Sequence, residues 1–167
     1  CDANSPIGVA TEASKGCTVI RCTKKTDITK SSSVKRIMDV VTDAAARNIE
    51  VLLFSSIPCT GGSMWTHINS GKPHGMQRLQ QHWKLWRKLW HNFETIAYHV
   101  HKHGGRVAIE WPRFCRYWQE PRVVRLLGEL GLARADFDGC HFGLASEEGK
   151  PIKKPWRVMT NDNTLWK

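Results

Sequence analysis

Three side chains able to do covalent or acid–base chemistry fall at or just past short β-rich runs: Asp27, Cys59 and Glu110. The setting of Cys59 is the sharpest. The apolar run from Val51 to Phe54 leads through Ser55-Ser56 to Ile57-Pro58-Cys59, and Gly61-Gly62-Ser63 opens a loop. A residue before proline is pushed toward extended geometry, and the fixed φ of Pro58 holds Cys59 at the carboxyl end of a strand. Ligands bind at that end in open α/β sheets, so a thiol there is a candidate nucleophile. Glu110 closes a second run, Val107-Ala108-Ile109, just before Trp111-Pro112. A thiol beside a carboxylic acid suits nucleophilic addition with proton donation. The reaction needs the thiolate, and the backbone N–H groups of Thr60-Gly61-Gly62-Ser63, with a basic surface, are expected to stabilise it. Each group also has a plainer reading. A lone cysteine is most often a small buried hydrophobe, a strand-end glutamate is often only solvated, and Asp27 can simply cap a turn.

Positioning such groups requires a sheet. Residues 1–16 read as a loop and a short helix ended by Gly16, then Thr18–Cys22 as a first strand. Ser31–Ser33 cap a helix with the apolar face Val34, Ile37, Met38, Val41 and Ala45, ended by Asn48. Ile49–Ile57 is the strand before Cys59. Gly71–Gly75 is a loop. Leu79, Trp83, Trp86, Trp90, Phe93, Ala97 and Val100 then make one stripe on a long helix, Met76–His103, stopped by Gly104-Gly105. Arg106–Glu110 is the next strand. Glu120-Pro121 opens a helix with the face Val123, Val124, Leu127 and Leu130. Ala133–Phe142 and Trp156–Thr160 read as strands joined through a Gly/Pro/Lys turn, an antiparallel hairpin. Strands alternating with helices predict a single α/β domain over residues 1–167, with a mostly parallel sheet covered by helices on both faces. His99, His101 and His103 splay apart on a helix, so no metal site is expected from them.

The chain carries 25 Lys and Arg against 15 Asp and Glu, a net charge of +10. Such an excess favours polyanions, and eight tryptophans interleaved with the basic residues suggest stacking on nucleic-acid bases. The turn bearing Lys150, Lys153 and Lys154 is a candidate phosphate contact. No apolar run is long enough to span a bilayer, and no membrane partner is expected. Six scattered cysteines without a Cys-x-x-Cys pair predict reduced thiols in an intracellular compartment, nuclear or cytoplasmic. A start at Cys1 reads as a fragment, a processed product or a piece of a larger polyprotein or complex.

Taken in order, the motifs resemble those of the cytosine-5 DNA methyltransferases. Thr26-Asp27-Ile28-Thr29 is similar to an Asp-Ile pair of that family, Ser56-Ile57-Pro58-Cys59 to its nucleophile loop, and Ile109-Glu110-Trp111-Pro112 to its Glu-Asn-Val motif. Phe142-Gly143-Leu144 with Lys153-Lys154-Pro155-Trp156-Arg157 is similar to its Gln-x-Arg-x-Arg hairpin. The set also resembles methyltransferase-like segments of dinoflagellate retroelement polyproteins. The resemblance implies a Rossmann-like methyltransferase fold and S-adenosylmethionine as cofactor, held by Asp2, Asn4, Ser5, Gly8, Asp27 and Pro58. It implies Cys59 adding to C6 of a flipped-out cytosine, Glu110 bonded to N3, Arg157 holding the base, and Ser63, Lys150, Lys153 and Lys154 on the nucleic acid. Two departures point to an alternative. Asn4-Ser5-Pro6-Ile7-Gly8 stands where the family has its Gly-rich cofactor fingerprint, and Arg21-Cys22-Thr23 offers no acid for a ribose. The alternative is a catalytically silent module for nucleic-acid binding or protein interaction.

Overall fold

The computed structural model describes residues 16–23 and 26–166. Among them, four strands form one sheet: β1 (Leu52–Ser55), β2 (Arg106–Pro112), β3 (Ala133–Asp138) and β4 (Pro155–Thr160). The α-helices are α1 (Ser31–Ala46), α2 (Met64–Ile68), α3 (Gly75–Lys102) and α4 (Pro121–Glu129). The chain is therefore α/β.

The sheet is mixed rather than mostly parallel. Its order is β1-β2-β4-β3; β1 runs parallel to β2, while β4 runs antiparallel to both β2 and β3. The expected C-terminal hairpin is present, but β4 returns into the gap between β2 and β3 instead of extending the edge. Thr18–Cys22 is not a strand. Among the described residues it joins no strand of the sheet, and Val19 and Ile20 stay exposed. The strand before Cys59 is shorter than Ile49–Ile57, because its pairing with β2 spans only Leu52 to Ser55.

Alternate strand residues face opposite ways. Val107, Ile109 and Trp111 of β2 join one buried cluster with Val34 and Val41 of α1, Trp86, Trp90, Phe93 and Val100 of α3, and Val123 and Leu126 of α4. The three long helices thus share one face of the sheet. The opposite face carries Phe54, Glu110, Phe137, Trp156 and Val158, all outside that cluster and half-buried or exposed, with Ala108 and Thr160 buried, so among the described residues the three long helices lie on one face and not on both as expected. On α4, Leu126 is buried and Val124 points to solvent, so its apolar face is turned from the one read above.

Helix α3 is the spine, and its stripe is buried at Leu79, Trp86, Trp90, Phe93, Ala97 and Val100. Trp86, Trp90, Trp111 and Trp118 are core residues, so they are not available to stack on bases. Buried Glu94 interrupts the stripe and is bonded by Arg122 and Arg125 of α4, the latter at 2.8 Å, which docks α4 onto α3. His99 Nε2 lies 3.1 Å from the Met38 carbonyl and 3.0 Å from Thr42 Oγ1, a tie between α3 and α1. Asn48 ends α1 as expected, in a left-handed conformation at φ 55°. The N-cap of α1 is Lys30, and Ser31–Ser33 form its first turn.

Candidate active site

Parallel pairing brings the ends of β1 and β2 to one edge. Ser55 opposite Ile109 is the last β1–β2 pair, so Ser56 and Glu110 follow side by side. Ser56 Oγ donates to Glu110 Oε2 at 2.8 Å, and the other carboxyl oxygen, Oε1, is buried without a hydrogen-bond partner. Trp111 Nε1 donates to the Ile57 carbonyl at 2.6 Å, fixing the backbone just before Pro58-Cys59.

After Cys59 the chain tightens into a 3₁₀ turn, Thr60–Gly62, and then α2. Two glycines are needed here for close approach. A Cβ on Gly62 would sit 2.6 Å from Cys115 Sγ and 3.0 Å from the Tyr117 ring, and one on Gly61 would meet the Tyr117 hydroxyl. The loop is also tethered from outside. His67 Nε2 donates to the Gly61 carbonyl at 3.1 Å, Arg116 donates to His67 Nδ1 at 3.2 Å, and Thr66 Oγ1 donates to the Thr60 carbonyl at 2.6 Å.

The electrostatics run against the expected thiolate. Burial pushes the Cys59 thiol up, its own backbone N–H pulls it down, the Glu110 charge raises it and Lys154 lowers it. Two of the loop N–H groups are spent within the turn, Gly62 N on the Cys59 carbonyl at 2.9 Å and Ser63 N on the Thr60 carbonyl at 3.3 Å. That is why the turn stabilises the anion less than its glycines suggest. Burial likewise raises the Glu110 carboxyl, against the Ser56 hydrogen bond and the Lys154 charge. Cys115, beneath Gly62, is pushed up to about 12, chiefly by burial. The resting pair is a neutral thiol beside a carboxyl that holds its proton more firmly than usual.

Compared with known proteins, the chain matches no family model, no curated protein and no solved structure.

The remaining expected site residues divide. Lys154 belongs with the pair, since its charge acts on both Cys59 and Glu110. Arg157 does not join them. It pairs with Trp111 across β2–β4 and so lies on the face opposite Glu110. Its guanidinium bonds Asp136 at 2.7 and 3.0 Å and covers Trp118 at 5.9 Å. That ion pair holds the Asp136 carboxyl below its usual range. Ser63 follows the loop as the residue ahead of α2. Lys150 pairs with Glu148 at 2.7 Å, and Lys153 lies 3.9 Å from Asp138.

Of the positions expected to hold S-adenosylmethionine, Asp2, Asn4, Ser5 and Gly8 lie outside the described residues. Asp27 accepts from Thr29 N at 2.9 Å, an Asx-type turn that also lowers its carboxyl. The same turn is bound to α3 by Asn92, whose Nδ2 donates to the Ile28 carbonyl at 2.6 Å. Pro58 is exposed beside Cys59. Asp27 and Pro58 do not by themselves form a site for the cofactor. Among the described residues no group of three His, Cys, Asp or Glu is placed to hold a metal ion, and no helix is long and apolar enough to cross a membrane.

The sequence reading missed α2, where Met64, Trp65 and Ile68 are exposed, Trp65 by 75%. It also missed Tyr117 and Cys115, which support the loop. The glycine pair was their signal, since adjacent glycines ahead of an aromatic-rich chain mark a close backbone approach.

Proposed function

We propose that this chain is a cytosine-5 methyltransferase-like domain, built on the C-terminal part of a Rossmann-like methyltransferase sheet, whose Cys59–Glu110 pair acts on a pyrimidine turned out of a nucleic acid. The observation that carries this reading is the carboxyl of Glu110. One oxygen is held by Ser56, the other is buried and free of partners, and the raised affinity for its proton suits a donor to a ring nitrogen. The thiol of Cys59 lies past the end of the adjacent parallel strand, close enough for the Glu110 charge to act on it.

The addition runs as follows. The bond between Cys59 Sγ and C6 forms as the C5–C6 double bond opens. The electron pair moves through the ring toward N3, where Glu110 delivers its proton, and the proton of the thiol leaves to solvent. S-adenosylmethionine, when bound, supplies the methyl group for C5. Asp2, Asn4, Ser5 and Gly8 lie outside the described residues, so the chemistry assigned to the described residues ends at the addition. Arg157 stays with Asp136 and braces the hairpin.

The alternative, a binding module without turnover, has its own observation in the thiol raised by burial. An oligonucleotide carrying pyrimidin-2-one in place of cytosine separates the two, because that ring takes up a thiol without methyl transfer. The enzyme-like reading expects an adduct on a denaturing gel, absent in Cys59→Ser and strongly slowed in Glu110→Gln. A module without turnover forms none.

A further inference from the structure

The sheet face that bears Glu110 continues into an open aromatic cleft. Phe137 and Trp156 are directly paired across β3–β4 and share the face of Glu110 and Val158. Trp156 lies two residues from Val158, the partner of Glu110, and so about 7 Å further along the face. Phe142 closes one side, its ring 5.1 Å from Phe137 in a T-shaped contact while 76% of the residue remains exposed. Lys154 Nζ lies 4.3 Å from the centre of the Trp156 ring. Together with Gly139, Gly143 and Leu144 these side chains enclose a volume of about 430 Å³.

Nothing in the core accounts for this arrangement, since none of these rings belongs to the buried cluster. An exposed Phe142 ring, half-buried Phe137 and Trp156 and an exposed ammonium group suit a flat ring joined to an anion. The charges around the cleft agree. Lys153 lies 3.9 Å from Asp138, whereas no carboxylate among the described residues lies within ion-pair distance of Lys154. We propose that the Phe137–Phe142–Trp156 cleft is a stacking subsite for an unpaired base of single-stranded nucleic acid, with Lys154 on its phosphate, next to the nucleotide held at Glu110. The proposal deepens the reading above and rests on its nucleic-acid ligand. A base in a duplex is already stacked on both sides, so the cleft selects unpaired strands.

The test uses the whole chain, fluorescein-labelled oligodeoxythymidylate about twelve nucleotides long, and an abasic oligonucleotide of equal length, read by fluorescence anisotropy. Phe142 is largely exposed, so Phe142→Ala is expected to fold. It should bind oligodeoxythymidylate about tenfold more weakly, as loss of one stacked base implies, and the abasic strand as wild type does. Phe142→Trp should restore or strengthen the base-dependent part. Lys154→Gln should weaken both strands alike. Equal losses on the two strands in Phe142→Ala, or no loss, overturn the proposal. A base-selective loss without any adduct at Cys59 upholds the cleft and sinks the addition chemistry. An adduct with Phe142→Ala binding unchanged does the reverse.

Discussion

Replacing Gly62 by alanine tests whether the Cys59 loop is held by close packing. The added Cβ would come 2.6 Å from Cys115 Sγ and 3.0 Å from two atoms of the Tyr117 ring. Neither neighbour can move freely, because Cys115 and Tyr117 are both buried and Tyr117 is stacked 4.3 Å from Trp86 and edge-on to Trp83 at 4.9 Å. Overpacking of that kind costs about 1–3 kcal/mol. The entropy gained by removing a glycine from the unfolded chain offsets roughly 0.4–1 kcal/mol of it. At the middle of these ranges a net loss of about 1.3 kcal/mol remains, which corresponds to a fall in Tm of roughly 3–5 °C for a chain of this size. Gly128 is the control. It lies in α4 with nothing within 4 Å of the added Cβ, so Gly128→Ala should raise Tm instead. Differential scanning calorimetry reads both. Because the loop must shift to admit the methyl group, Gly62→Ala should also change the alkylation rate of Cys59, followed by mass spectrometry. A Gly62→Ala chain as stable as wild type, with Cys59 alkylated at the same rate, would refute the packing account.

Further outcomes follow from the same geometry. The Glu110 carboxyl has a raised folded-state pKa, so the folded state binds the extra proton and stability falls as pH rises from the ordinary carboxylate range through the folded value. Glu110→Gln should therefore gain in Tm relative to wild type as pH rises above the ordinary carboxylate range, and a pH-independent difference would argue against a buried, proton-holding carboxyl. Asp136 is the opposite case: its pKa is lowered by Arg157, so its stabilisation is present above the ordinary carboxylate range and lost as pH falls through the lowered value. Asp136→Asn should be destabilising at neutral pH and nearly neutral in strong acid. In the free chain, exposed Cys17 should alkylate before Cys59, and buried Cys115 last; Cys59 reacting first would contradict its burial. Oligonucleotide affinity should fall as salt rises, and the double change Lys153→Glu, Lys154→Glu should flatten that dependence, since each phosphate contact contributes about −0.7 to the log–log slope for single strands.

Local pattern carried much of the fold. The stripe from Leu79 to Val100 gave α3 within a residue at each end, because seven apolar positions at helical spacing admit no strand. Pro58 and Pro112 marked the edge where Ser56 and Glu110 meet, since proline restricts the residue before it wherever it occurs. What escaped depended on register and partners that lie far apart in sequence. The insertion of β4 between β2 and β3 decides that Arg157 faces Asp136 and not Glu110, and no local signal encodes that choice. Thr18–Cys22 has the residues of a strand but joins none of the sheet among the described residues. Conversely, α2 forms from Met64, Trp65 and Ile68 with no buried face to give it a period. The two glycines after Cys59 suggested an anion-stabilising turn, whereas the N–H groups of Gly62 and Ser63 close a 3₁₀ turn and the missing glycine side chains make room for Tyr117.

The central claim is that Cys59, beside Glu110, adds to a pyrimidine ring. Its most direct test is to incubate the chain with the pyrimidin-2-one oligonucleotide, digest the product and locate the attachment by mass spectrometry. The expected result is a single modified peptide with the base on Cys59, and its loss in Cys59→Ser. Attachment at Cys17, Cys22, Cys115 or Cys140 instead, or an unmodified chain, would contradict the claim.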